Sequence, residues 1–86
     1  MSFAVAVSPE PRRYLERLDQ STKQRFIRKF RELAEDPLSR TKALRGVGAV
    51  RSARVGGWRI IYTIDFEAQT ISIDHIAPRG QVYRDL

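Results

Sequence analysis

The chain has 86 residues, 42% of them hydrophobic and 30% charged, which allows one folded domain (residues 1–86) with a modest core and leaves no length for a second. Lys and Arg number 16 against 10 Asp and Glu, a net charge of +6, so the surface attracts polyanions, whether nucleic acid or an acidic protein. The absence of Cys, and one His among acids with no ligand spacing, exclude a disulfide framework and a thiolate metal site, so no metal and no cofactor are expected.

No apolar run reaches the length of a membrane span and Met1 to Val7 carry no cationic leader, so the expected location is cytoplasmic, with no membrane partner. The basic residues are 13 Arg and 3 Lys, and the planar donor fork of a guanidinium suits phosphate better than an ammonium point charge does.

In chain order, Phe3, Val5 and Val7 alternate with small residues and predict a first strand; Ser8 and Pro9 then supply an N-cap and a first helical position. Tyr14, Leu15 and Leu18 fall at helical spacing, and Asp19 to Ser21 break the chain before a second helix. That helix is expected to open with Ser21 and Gln24 in capping-box spacing, to bury Phe26, Ile27, Phe30, Leu33 and Ala34, and to stop at Asp36-Pro37. The short break makes the two helices a hairpin.

Residues 38–48 form a connector with Arg40, Lys42, Arg45 and the Gly46-Val47-Gly48 triplet. The triplet lacks the third glycine and the strand-to-helix setting of a nucleotide-binding loop, so it is read as turn geometry. Three strands follow at 49–55, 58–65 and 70–77, the first two joined by the two-residue turn Gly56-Gly57 and the second pair by a looser turn at Phe66 to Gln69.

If that glycine turn sets the register, Val55 faces Trp58, Arg54 faces Arg59, Ala53 faces Ile60, Ser52 faces Ile61 and Arg51 faces Tyr62. One face then gathers Ala53, Val55, Trp58, Ile60, Tyr62, Ile64, Ile71, Ile73, His75 and Ala77 for the helices to cover. The other gathers Ser52, Arg54, Arg59, Thr63, Ser72 and Asp74, with Ile61 and Ile76 among them. On this reading His75, Trp58 and Tyr62 are core residues and neither a catalyst nor stacking platforms. The opposed Arg54 and Arg59 repel one another and invite an anion, and Arg79 emerges beside them at the end of the third strand. The alternative is that each arginine pairs separately with an acid such as Asp74 or Asp85.

The segments Leu44-Arg45-Gly46, Ala53-Arg54-Val55-Gly56-Gly57-Trp58-Arg59-Ile60-Ile61-Tyr62 and Pro78-Arg79-Gly80-Gln81-Val82-Tyr83 resemble the RelE/ParE toxin superfamily, most closely its short archaeal RelE-like members. The resemblance covers nearly the whole chain. It implies an α+β fold of order β-α-α-β-β-β, a helical hairpin on one face of an antiparallel-rich sheet, as in RelE-like microbial RNases. It implies further a type II toxin that cleaves mRNA in the ribosomal A site and is silenced by a cognate antitoxin with an acidic helical segment. Carried over by position, Arg54, Arg59, Arg79 and Tyr83 are the catalytic candidates, and Arg45, Arg51, Ser52 and Lys42 the candidate RNA contacts. Ser52 stands where several active members have a basic residue, and Arg54 where some have lysine, which shifts the burden of proton transfer to Tyr83.

The implied reaction needs no metal, because the RNA 2′-hydroxyl attacks the adjacent phosphate while guanidiniums hold the charge that develops. Tyr83 is the candidate base, its phenolate favoured by neighbouring cations, or else a stacking platform. Two other readings stand beside this one: a ParE-like toxin that inhibits DNA gyrase without nuclease activity, and a catalytically weak antitoxin-binding or RNA-binding homologue.

Overall fold

In the computed structural model, which describes residues 2–38, 50–78 and the backbone of 42–43, the chain runs β1 (Ala4–Val7), α1 (Pro9–Glu16), α2 (Gln20–Glu35), β2 (Lys42–Ala43), β3 (Val50–Val55), β4 (Trp58–Asp65) and β5 (Thr70–Pro78). The strands form one sheet in the order β1-β5-β4-β3-β2. Both helices pack on a single face, giving the expected α+β arrangement with the two-residue β2 added inside the predicted connector.

Val5 and Val7 of β1 turn toward the core while Ala4 and Ala6 stay exposed, the period of two that a half-covered strand requires. β1 lies parallel to β5, with Ala4 beside Thr70 and Val7 beside Ile73. Ser8 ends the strand in extended geometry, its N–H donating to the Ile73 carbonyl at 3.1 Å. Pro9 then opens α1 at a position where no N–H is needed. Ser8 occupies the N-cap as expected, though its side chain makes no capping hydrogen bond.

α2 is capped two residues earlier than its sequence implies. The cap is Asp19, whose carboxylate accepts from the Thr22 N–H at 3.2 Å, the Thr22 hydroxyl at 2.6 Å and the Ser21 hydroxyl at 2.7 Å. Ser21 therefore serves the cap without being it, because a carboxylate can accept all three donors where a serine hydroxyl cannot. Phe26, Phe30 and Leu33 follow at helical spacing and are buried; Ile27, expected among them, is 38% exposed.

At the far end of α2, the buried Tyr62 hydroxyl donates to the Pro37 carbonyl at 2.6 Å, fixing the helix terminus to the centre of the sheet. Phe26, Leu33, Ile60, Tyr62, Ile71 and Ile73 form the most buried part of the core. Each such side chain contributes about 1.5–3 kcal/mol of burial free energy.

The β3–β4 register is the one the glycine turn dictates, from Val55 opposite Trp58 to Arg51 opposite Tyr62. The β4–β5 ladder departs from simple alternation. Ile61 pairs with His75 but Tyr62 pairs with Ile73, so Asp74 is an extra residue in β5, a β-bulge. Beyond it the faces exchange: Ile76 enters the core at 7% exposure and the His75 side chain is 59% exposed. His75 and Ala77 are thus not core residues, as strict alternation predicts, and Ile76 is not on the outer face. The bulge replaces a costly buried imidazole by an isoleucine.

Candidate functional site

The tip of the β3–β4 hairpin positions the basic side chains. Gly56 has φ +55°, the left-handed value demanded at the first central position of the tight turns that suit a two-residue hairpin. A side chain here would also collide with Arg25 of α2, since a Cβ would lie 2.9 Å from the Arg25 guanidinium carbon. The missing Cβ thus lets α2 lay a guanidinium over the turn.

Two residues on either side of the turn, Arg54 and Arg59 are cross-strand partners, on the face away from the helices. Arg54 is exposed and Arg59 half-buried. Among the described residues Arg54 has no carboxylate within ion-pair distance. The alternative partner, Asp74, is held elsewhere, accepting a hydrogen bond from the Thr63 hydroxyl at 2.7 Å. The β4–β5 register sets Asp74 level with the Ile61–Tyr62 step, whereas Ala77 is the residue beside Arg59. Arg54 thus presents an exposed guanidinium on the outer face of the hairpin tip, with the half-buried Arg59 beside it.

The other expected site residues divide. Ser52 shares the Arg54 face but is 1% exposed, so it supports the strand and offers no surface. Arg51, opposite Tyr62, lies half-buried on the helix-bearing face and is separated from Arg54 by the sheet itself. The register places Lys42 of β2 opposite Ser52. Arg45, Arg79 and Tyr83 lie outside the described residues, as does Asp85. The structure thus unites Arg54 with Arg59 and keeps Arg51 apart from them.

Trp58 and Tyr62 are packing residues, as their alternation implies. Trp58 meets Phe26 edge-on, ring centroids 5.8 Å apart, and donates its indole N–H to the Tyr14 hydroxyl at 3.0 Å. His75 instead faces Glu10 of α1, Nδ1 to Oε1 3.8 Å. Among the described residues, no three His, Asp or Glu side chains gather as a metal-binding group. No helix there is long and apolar enough to cross a membrane.

Two features escape the sequence. Arg25 reaches the hairpin tip only because of how α2 crosses the sheet, which no local pattern reveals. An apolar groove of about 300 Å³ runs beside β1, the terminal strand of the sheet, lined by Val5, Val7, Leu15 and Ile27 with Arg12 and Lys23 at its rim. Ile27 was the available signal: an apolar residue at the margin of the α2 stripe.

Comparisons with known proteins agree with this geometry. Residues 5–83 match the family model of the ParE toxin of type II toxin-antitoxin system, parDE. The chain is similar to the archaeal RelE of the RelE-RelB complex from Pyrococcus horikoshii OT3, with TM-score 0.84, 26% identity and coverage of 94% of this chain and 99% of that one. It is similar also to a chain of the toxin-antitoxin complex RelBE2 from Mycobacterium tuberculosis, with TM-score 0.80, 29% identity and coverage of 94% and 95%. The isolated E. coli RelE toxin shares the fold, with TM-score 0.79, 18% identity and coverage of 98% and 94%. Among curated protein sequences none matches the chain.

Proposed function

The chain belongs to the ParE toxin family of type II toxin-antitoxin systems, within the RelE/ParE superfamily, and from that premise we propose that it is a cytoplasmic, ribosome-dependent endoribonuclease that cuts mRNA in the A site. The observation that carries this reading is the direct opposition of Arg54 and Arg59 near the tip of the β3–β4 hairpin, on the sheet face away from the helices. Two guanidiniums there suit a phosphodiester, which offers several acceptor oxygens and gains negative charge in the transition state.

In the proposed reaction the 2′-oxygen of the RNA attacks the adjacent phosphorus. The new bond closes a 2′,3′-cyclic phosphate and the bond to the 5′-oxygen breaks. The 2′-hydroxyl proton passes to a base and a proton passes to the departing 5′-oxygen. Arg54 and Arg59 hold the phosphate in line and stabilise the crowded phosphorane, Arg79 adds a third guanidinium, and Tyr83 serves as the base. Arginine is almost never neutral, so Arg54 acts as a clamp and not as a proton acceptor. Lys42 and Arg45 are proposed contacts to flanking RNA. Arg51 and Ser52 do not join this surface, given their placement.

The proposed silencing partner is an antitoxin, an assembly that the names of the archaeal and mycobacterial neighbours record for those proteins. The groove beside β1 supports this, with an apolar floor that fits an amphipathic segment and with Arg12 and Lys23 beside Glu16 among its charged lining.

The match to a ParE family model favours a second reading, inhibition of DNA gyrase without nuclease activity. Purified protein added to ribosomes programmed with a defined mRNA, and in parallel to a gyrase supercoiling assay, separates the two. Cleavage mapped to the A site with gyrase untouched supports the first. Intact mRNA with supercoiling blocked overturns it.

A further inference from the structure

On the helix-bearing face, at the same end of the sheet as the hairpin tip, a cleft of about 170 Å³ lies between α1 and β5, lined by Glu10, Pro11, Arg13, Tyr14, Arg17 and Ile76. Arg13 and Arg17 are four residues apart on α1 and its C-cap, so they project from neighbouring turns with Cβ atoms about 5–6 Å apart. Both are exposed, and among the described residues neither has a carboxylate within ion-pair distance. Tyr14 stands between them. Its oxygen accepts the indole N–H of Trp58 at 3.0 Å, and among the described residues no acceptor takes its own proton. The one acid of the cleft, Glu10, is directed toward His75.

We propose that this cleft is a second phosphate site, formed by Arg13, Arg17 and the Tyr14 hydroxyl, that takes a backbone phosphate of RNA outside the reacting position. Two arginines and a tyrosine line one small volume, a set of donors that suits a phosphate with its several acceptor oxygens better than the two coplanar oxygens of a carboxylate. The cleft also continues an existing path. Trp58 follows the Gly56-Gly57 turn directly and is held by Tyr14, Arg59 is the next residue on the opposite face, and the Arg25 guanidinium covers the turn between them. A strand leaving Arg54 and rounding the hairpin tip therefore meets Arg25 and then the cleft. The RNA as ligand rests on the proposed function; the anion site itself does not.

Trp58 is the single tryptophan, and its bond to Tyr14 makes its fluorescence a reporter of the cleft. The intact chain is titrated with inorganic phosphate, with a short 2′-O-methyl oligouridylate that cannot be cleaved, with an RNA duplex, and with polyglutamate. Phosphate and one or both RNAs are expected to change the Trp58 emission, the two RNA forms telling whether the site takes a single strand or a helix. The double variant R13Q/R17Q is expected to bind the single strand about tenfold more weakly. Its plot of log affinity against log salt should be shallower by about 0.7, the value for the one phosphate charge that the variant no longer neutralises. Y14F, which preserves the ring, is expected to weaken phosphate binding and to shift the resting Trp58 emission. Unchanged RNA affinity and salt slope in R13Q/R17Q overturns the proposal, and so does a response to polyglutamate without one to RNA. Wild-type protein that binds RNA through the cleft yet leaves programmed ribosomes uncut sinks the nuclease reading alone.

Discussion

Arg54 and Arg59 face each other across the β3–β4 hairpin, two residues on either side of its Gly56-Gly57 turn, while Asp74, an alternative partner for them, accepts a hydrogen bond from the Thr63 hydroxyl. Like charges directly opposed on one sheet face cost about 0.2–1 kcal/mol. A protein that gained nothing from the pair would be more stable without it. Arg54→Thr is accordingly expected to raise thermal stability slightly while lowering mRNA cleavage on programmed ribosomes by about a hundredfold, the scale of losing one donor to a developing anion. Arg54→Thr protein that melts earlier and cuts normally would show the pair to be structural.

The bulge at Asp74 makes a prediction about two adjacent residues. Ile76→Ala removes core volume and should cost about 2–4 kcal/mol in urea denaturation. His75→Ala touches an exposed side chain and should fall within about 0.5 kcal/mol of wild type. A larger cost for His75→Ala than for Ile76→Ala would mean that β5 keeps strict alternation through this stretch.

Tyr62→Phe leaves the ring in place and removes its hydrogen bond to the Pro37 carbonyl. Losing one such hydrogen bond costs about 0.5–1.5 kcal/mol, and the loss should appear as a lower denaturant midpoint with an unchanged slope. An unshifted midpoint would mean that the helix end is held by other interactions.

Hydrogen bonds from the Thr22 hydroxyl, the Ser21 hydroxyl and the Thr22 N–H, in that order of effect, lower the Asp19 carboxyl from its usual 3.8 to about 2. A carboxyl depressed by folding contributes stability that is fully present above its unfolded pKa and fades as the pH falls from about 4 toward 2. Asp19→Ala should therefore melt earlier than wild type at neutral pH, with the gap closing across that acid window. A gap that persists undiminished at pH 2 would place the effect elsewhere than in the carboxylate.

For the proposed antitoxin groove, Ile27→Asp places a charge on the apolar floor. Antitoxin affinity by calorimetry is expected to fall at least tenfold, the scale of losing more than about 1.4 kcal/mol at an interface, while mRNA cleavage by the free toxin persists. Unaltered antitoxin affinity would move the docking surface away from β1.

The hairpin register was legible because a two-residue Gly-Gly loop admits one pairing, and every pair from Val55 to Arg51 then followed. The helices were legible from apolar spacing and from Pro9 and Pro37, which act locally. The bulge was not, because a period of two carried past Ile73 assigns His75 inward. The interruption Ile71, Ile73, Ile76 was the overlooked sign, three isoleucines that share one face only if one residue is skipped. β2 has no apolar pattern of its own and exists through its pairing with β3. Within the candidate site, the Arg54 and Arg59 pairing could be read from the turn, and the placement of Arg51 on the opposite face follows from the same register. Arg25 over Gly56 could not, since it depends on the crossing of α2 over the sheet.

β1 and β5 are neighbours in space and remote in the chain: Ala4 waits for Thr70. A ribosome making this protein has delivered both helices and the whole β3–β4 hairpin before β1 can find its parallel partner, so the nascent chain must search a long loop late, and topologies of this kind assemble slowly. Until β5 emerges, the hairpin that carries Arg54 and Arg59 lacks the strand that pairs with the free side of β4.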